Sequence, residues 1–127
     1  MAEVYMSKEV ATAPDVLWEK IGDFLGMDKW MAGIPPMESE KDGTVRRIGS
    51  GANAIVEELV EHGDRAYTYR ILEGPLPVKD YVSTLSVSAS GDGSLVEWKS
   101  TFEPNGVPEE QAVTIVRGIY TAGLANL

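Results

Sequence analysis

The closing segment of the chain, Pro108 to Leu127, constrains the fold most. At about 100° per residue, Ala112, Val113, Ile115, Val116, Ile119, Tyr120, Gly123, Leu124 and Leu127 fall on one broad half of a helix, with Glu110, Gln111, Thr114, Arg117 and Thr121 opposite. Pro108, Glu109 and Glu110 suit the positive end of such a helix. It is the longest periodic stretch in the sequence, and its apolar half must be buried against another element.

The rest of the chain predicts that element. Residues 2 to 11 alternate loosely, with Val4, Met6 and Val10 on one parity, and read as a strand. Thr12-Ala13-Pro14 then opens a helix to about Leu25, in which Leu17, Ile21 and Phe24 share a face and Gly22 and Gly26 limit the length. A further helical turn over Met27 to Ile34 stops where Pro35-Pro36 forces an extended chain. Strands are expected at about 36–41, 44–49, 53–62, 66–73, 79–89 and 94–103. Lys41-Asp42-Gly43 and Ser90-Gly91-Asp92-Gly93 signal hairpins, His62-Gly63-Asp64 a tight turn, and Gly74-Pro75-Leu76-Pro77 a rigid connection. Consecutive hairpins imply an antiparallel meander. The expected fold class is α+β, a curved antiparallel sheet wrapped around the C-terminal helix, with either a packed core or a cavity between them.

Composition fits one domain. The chain has 127 residues, of which 43% are hydrophobic and 24% charged, and no internal repeat or linker divides it. Its 11 Lys and Arg against 20 Asp and Glu leave a net charge of -9, which repels phosphate backbones and anionic lipid headgroups. No nucleic-acid or membrane partner is expected. With no Cys, disulfides, thiolate nucleophiles and Cys-based metal sites are excluded. No apolar run approaches the ~18 residues of a membrane span, and the start lacks the basic and apolar blocks of a signal peptide. The expectation is a soluble, cytoplasmic protein, monomeric or homodimeric.

Few residues suggest chemistry. Gly123 lies near the middle of the helix's apolar face, where Gly costs about 1 kcal/mol relative to Ala, so either the helix approaches a strand closely or the gap belongs to a ligand cavity. In the strand NAIVEELVEH one parity carries Glu57 and the other Glu58, so a glutamate turns inward with either face. An inward carboxylate must be paired, hydrogen-bonded, neutralised or open to a wet cavity. Tyr67, Tyr69, Tyr81, Trp98 and Tyr120 can face inward together, each an apolar body with a polar tip. His62, the one histidine, reads as an exposed turn residue, and Arg46-Arg47 as a solvated strand end. Gly49-Ser50-Gly51 and Gly91-Asp92-Gly93 lack the helix and Lys of a phosphate loop. No metal site is expected.

Four segments, PDVLWEKIGDFLGMDKW, VEELVEHGDRAYTYRILEGPLPVKDY, VEWKSTFEP and IYTAGLANL, together resemble the START-like (SRPBCC) superfamily, most closely its bacterial polyketide cyclase/dehydrase branch. The resemblance spans nearly all of the chain and implies the helix-grip fold, a seven-stranded antiparallel sheet folded around a long C-terminal helix with two short helices after the first strand. It implies that Glu57, rather than Glu58, points into the cavity. Tyr69, Ile71, Tyr81, Ser83, Trp98 and Ser100 would line the sheet side, Ile119 and Gly123 the helix side, and Met31, Ile34 and Ile48 the remaining wall, joined by Leu59 and Tyr120. Where many relatives carry a polar residue after the tryptophan of the second helix, this chain has Met31, Ala32 and Gly33. The wall is therefore expected to lack a cation, so that Glu57 disfavours a carboxylate-bearing ligand relative to a neutral or amine-bearing one.

The expected function is binding of a small apolar, aromatic or polyketide-like molecule in that cavity. Catalysis, if present, would be cofactor-independent cyclisation, dehydration or isomerisation, as in a lyase, with Glu57 as general acid or base and Tyr81 or Tyr69 donating to a developing enolate. A carrier or sensor without turnover, and a protein-interaction module with a filled core, are the alternatives.

Overall fold

Hairpins build the sheet as the turn residues predict. In the computed structural model, which describes residues 1–31 and 33–127, β1 (Ala2–Val10) is followed by helix α1 (Pro14–Ile21) and a short 3₁₀ segment (Phe24–Lys29). Strands β2 (Met37–Glu40), β3 (Val45–Ile48), β4 (Ile55–Gly63), β5 (Ala66–Glu73), β6 (Val78–Ser90) and β7 (Gly93–Pro104) then lead to helix α2 (Glu109–Leu124). The strands form one seven-stranded antiparallel sheet in the order β1-β7-β6-β5-β4-β3-β2. Gly91, at φ 56, supplies the left-handed residue that closes the β6–β7 hairpin. This is the helix-grip arrangement, and the strands match the sequence expectation to within about two residues.

The first helix ends earlier than its apolar periodicity suggests. Gly22 caps it at Ile21, and the Asp23 carboxylate then accepts the Leu25 N–H at 3.0 Å, starting a tighter turn that redirects Phe24 into the core. α1 packs over β6 and β7, while α2 lies against β1 and β7. Lys8 on β1 donates to the carbonyls of Leu124 and Leu127 at 3.1 and 2.7 Å, placing a cation at the negative end of α2. No helix among the described residues is long and apolar enough to cross a membrane.

Alternation sends Tyr67 and Tyr69 of β5, Tyr81, Ser83 and Leu85 of β6, and Val96, Trp98, Ser100 and Phe102 of β7 to the inner face, all buried. The buried stripe of α2 is Ala112, Val116, Tyr120, Gly123 and Leu124, while Val113, Ile115 and Ile119 on its flanks are only half-buried. Gly123 marks a close approach. A Cβ there would stand 2.8 Å from the Trp98 ring, which is itself stacked on Tyr120 with centroids 4.2 Å apart.

The two glycines of α2 should therefore respond oppositely to the same change. Gly118 has open space around its missing side chain, so Gly118→Ala should raise stability by about 1 kcal/mol through helix propensity. Gly123→Ala should lower it, because overpacking against a fixed ring costs about 1–3 kcal/mol and outweighs that gain. Thermal unfolding of the two variants beside the parent checks both signs.

Candidate functional site

The site begins with an ion pair that the sequence hides. β3 pairs with β4 so that Arg46 stands directly opposite Glu57, on the inner face of the sheet. Arg46 Nε donates to Glu57 Oε1 at 2.7 Å, and both side chains are buried, Arg46 completely. Its Nη1 donates to the Phe24 carbonyl at 2.7 Å, and the guanidinium lies 4.1 Å from the Phe24 ring centroid and 4.9 Å from that of Tyr69. Burial works against the Arg46 charge, but the Glu57 carboxylate and the neighbouring phenols more than offset it and hold the guanidinium firmly protonated. Nη2 has no hydrogen-bond partner among the described residues.

This pair corrects two expectations. Arg46 is not a solvated strand end: strand alternation sends adjacent residues to opposite faces, so Arg47 meets Glu40 outside at 2.7 Å while Arg46 turns inward. Glu57 is also not without a cation, since Arg46 neutralises it from β3, and unopposed negative charge no longer argues against a carboxylate ligand. Of the three residues after Trp30 on which that expectation rested, Ala32 lies outside the described residues.

Beside Glu57 lies a cavity of about 230 Å³ between the sheet, α2 and the segment leading into β2. Of the anticipated residues, Glu57, Tyr69, Tyr81, Met31, Ile34, Ile48, Ile71, Trp98, Ile119 and Tyr120 border it. Leu59, Ser83, Ser100 and Gly123 do not. Leu59 lies farther along β4, past Glu57, and is only half-buried. Ser83 and Ser100 are buried on the inner face of the sheet, and the space over Gly123 is taken by the Trp98 ring. Met27, Gly33, Pro35, Ile55 and Leu76 also border the cavity. They come from the 3₁₀ segment, from loops and from a strand end, where no long period marks a facing direction.

The polar tips of the rings are joined. Trp98 Nε1 donates to the Tyr69 hydroxyl at 3.1 Å, which meets that of Tyr81 at 3.4 Å; Tyr81 is hydrogen-bonded to Tyr120. Tyr120 meets Ser83 Oγ at 2.8 Å, and Ser83 donates to the Lys99 carbonyl at 3.1 Å. Burial raises the pKa of Tyr69 and Tyr81 well above the ordinary phenol value, and that of Tyr67 and Tyr120 to a lesser degree. These phenols stay protonated at neutral pH. His62, at the end of β4, is exposed on one side and stacks on Tyr67, with Nε2 3.0 Å from the Gly22 carbonyl. It takes no part in the cavity.

Comparison with known proteins agrees with this architecture. XoxI of Bacillus cereus is 36% identical, the match covering 99% of this chain and 92% of that one with a TM-score of 0.93. An uncharacterised protein of Bacillus thuringiensis is 35% identical over 99% of this chain and 96% of its own, with a TM-score of 0.91. A START superfamily protein of Mycobacterium smegmatis shares the fold at 16% identity, over 98% of this chain and 90% of its own, with a TM-score of 0.70. No curated protein matches. Residues 1–127 match the family described as "Polyketide cyclase / dehydrase and lipid transport". A helix-grip sheet closed over a ring-lined cavity, on a sequence that matches this family from end to end, makes the chain a member of the polyketide cyclase/dehydrase and lipid transport family.

Proposed function

We propose that the chain binds a small, largely apolar molecule, ring-shaped and uncharged overall, in the cavity between the sheet and α2. The observation that carries this is the lining itself: aliphatic side chains and the aromatic residues Tyr69, Tyr81, Trp98 and Tyr120, with Glu57 as the one carboxylate. Size narrows the class. Apolar cavities of about 150 Å³ hold benzene, so a cavity of about 230 Å³ suits a fused two-ring compound or a substituted single ring. A hollow of this kind weighs against an interaction module with a filled core. The buried Arg46–Glu57 pair carries no net charge, so neither a cation nor an anion gains an uncompensated partner by entering.

Acid–base catalysis at Glu57 is the second reading. It is supported by a carboxylate that borders the apolar space while its Oε1 is fixed by Arg46, which orients the group toward whatever occupies the cavity. The phenols cannot serve as bases, because burial keeps their protons in place. Cyclisation, dehydration or isomerisation would then need no resident cofactor.

A panel of two-ring aromatic compounds should raise the melting temperature of the parent by several degrees at saturating concentration, since a ligand bound only by the folded state stabilises it. Ile119→Trp, which extends a large side chain from α2 into the cavity, should abolish that shift while the protein still folds. A parent indifferent to the whole panel and free of co-purified small molecules by mass spectrometry would remove the binding reading. If Glu57 is catalytic, Glu57→Gln loses turnover and keeps binding; if the protein is a carrier, the same change alters affinity alone.

The phenol cluster also sets an alkaline limit. The folded-state pKa values lie above the unfolded value of about 10, so above that pH the unfolded chain sheds protons that the folded chain keeps, and stability falls as pH rises. Tyrosinate absorbance from Tyr67, Tyr69, Tyr81 and Tyr120 should therefore appear together with loss of the circular dichroism signal. Titration of all four near the ordinary phenol value with the fold intact would contradict the buried network.

A further inference from the structure

The direction of every proton in the tyrosine network follows from counting. Each hydroxyl has one proton, an indole N–H can only donate and a carbonyl can only accept. Trp98 must give its proton to Tyr69, and Ser83 gives its own to the Lys99 carbonyl. Ser83 then has only lone pairs for Tyr120, so Tyr120 donates to Ser83, Tyr81 donates to Tyr120, and Tyr69 donates to Tyr81. Trp98, Tyr69, Tyr81, Tyr120 and Ser83 thus form one chain of hydrogen bonds running in a single direction, with no proton left over.

The consequence falls on the cavity. Trp98, Tyr69, Tyr81 and Tyr120 all border it, and each has already committed its polar hydrogen to the next member. A phenol oxygen of this series therefore has only lone pairs to offer a ligand in the cavity. Glu57, the remaining polar side chain on its wall, accepts as well, and Arg46, a donor already engaged with Glu57, does not border the space. We infer that the side-chain wall of this cavity is built of acceptors, and that it selects a neutral ring compound carrying a hydrogen-bond donor, a hydroxyl on a fused or substituted aromatic ring, over one whose polar group is a carbonyl or ether. This rests on the ligand-binding reading above and sharpens it. It also assigns Tyr69 and Tyr81 a role opposite to enolate stabilisation: as the network stands, they receive a proton-bearing group and have none to offer.

Naphthalene, naphthol and acetylnaphthalene share the ring system and differ in having no polar group, a donor, or an acceptor only. Titration calorimetry with the parent should show naphthol binding about tenfold or more tighter than acetylnaphthalene, since hydrogen bonds to a charged acceptor are the stronger kind. Equal affinities, or tighter binding of acetylnaphthalene, would overturn the inference and leave the ligand-binding reading standing. If none of the three binds, the inference falls, and the ligand-binding reading is decided by the wider panel and the co-purified molecules.

The source of the selectivity can be tested by releasing a proton. Removing Ser83 takes away the acceptor for Tyr120, and the Ser100 hydroxyl, beside Tyr120 but outside hydrogen-bond geometry, must be removed with it so that the proton is not recaptured. In the double variant Ser83→Ala/Ser100→Ala the freed Tyr120 proton faces the cavity, and acetylnaphthalene should gain about threefold or more relative to naphthol. Tyr120→Phe frees the Tyr81 proton in the same way and serves if the double variant does not fold. A ratio of affinities unchanged from the parent in a folded variant would overturn the proton count.

Discussion

The inner half of this protein is organised around one buried ion pair. Arg46 and Glu57 face each other across β3 and β4, and neither could be tolerated inside without the other. Removing one partner of such a pair costs about 3–5 kcal/mol because a charge is left buried alone, whereas replacing both by apolar groups is often neutral. The pair is therefore weak evidence for stability, and its two members are dependent on each other. It also fixes geometry: the guanidinium is held between the rings of Phe24 and Tyr69, tying the 3₁₀ segment to the sheet. The end of the sheet formed by β3 and β4, the segment before β2 and the cavity wall are thus held by a single side chain.

The aromatic side chains have two functions in the cavity. Their rings supply apolar wall, and their tips are satisfied by one another and by Ser83, so no hydroxyl of the series is left without a partner inside the protein. Buried hydroxyls without partners would each cost on the order of 1–3 kcal/mol. Linking them in series meets that requirement with few residues, and it leaves a cavity whose polarity depends on the direction of the series rather than on the number of polar atoms. The stacked Trp98–Tyr120 pair, made possible by the missing side chain at Gly123, packs the first member of that series against the fourth, which lies on α2.

Much of the fold was legible because its elements obey simple periods. Two-residue alternation placed Tyr69, Tyr81 and Trp98 on one face, the family resemblance added Ile71, and the 3.6-residue period of the last segment placed Ile119 and Tyr120 opposite them. What the pattern could not show was register. Adjacent arginines in an acidic chain resemble surface charge, and only the pairing of β3 with β4 reveals that Arg46 meets Glu57. Register shifts at Val56/Glu57 and Leu59/Glu61 further break the alternation of β4, so that Val56 and Glu57 are both buried. Met27, Pro35 and Leu76 reach the cavity from irregular segments, where no period exists to read. Gly123 was recognisable as a gap, but that Trp98 fills it depends on a ring orientation set by tertiary packing.

The strand order carries a consequence for synthesis. β1 precedes the other strands described here, yet among the described residues it pairs with β7 alone, Ala2 opposite Phe102 and Val10 opposite Ser94. During synthesis β1 must therefore wait without a partner on either edge until β7 has been translated, and the sheet cannot be completed hairpin by hairpin starting from β1. Such an edge is a template for pairing with other chains. Along β1, Glu3, Lys8 and Glu9 make it a charged and poorly adhesive template during that interval, before β7 pairs with it and Lys8 meets the end of α2.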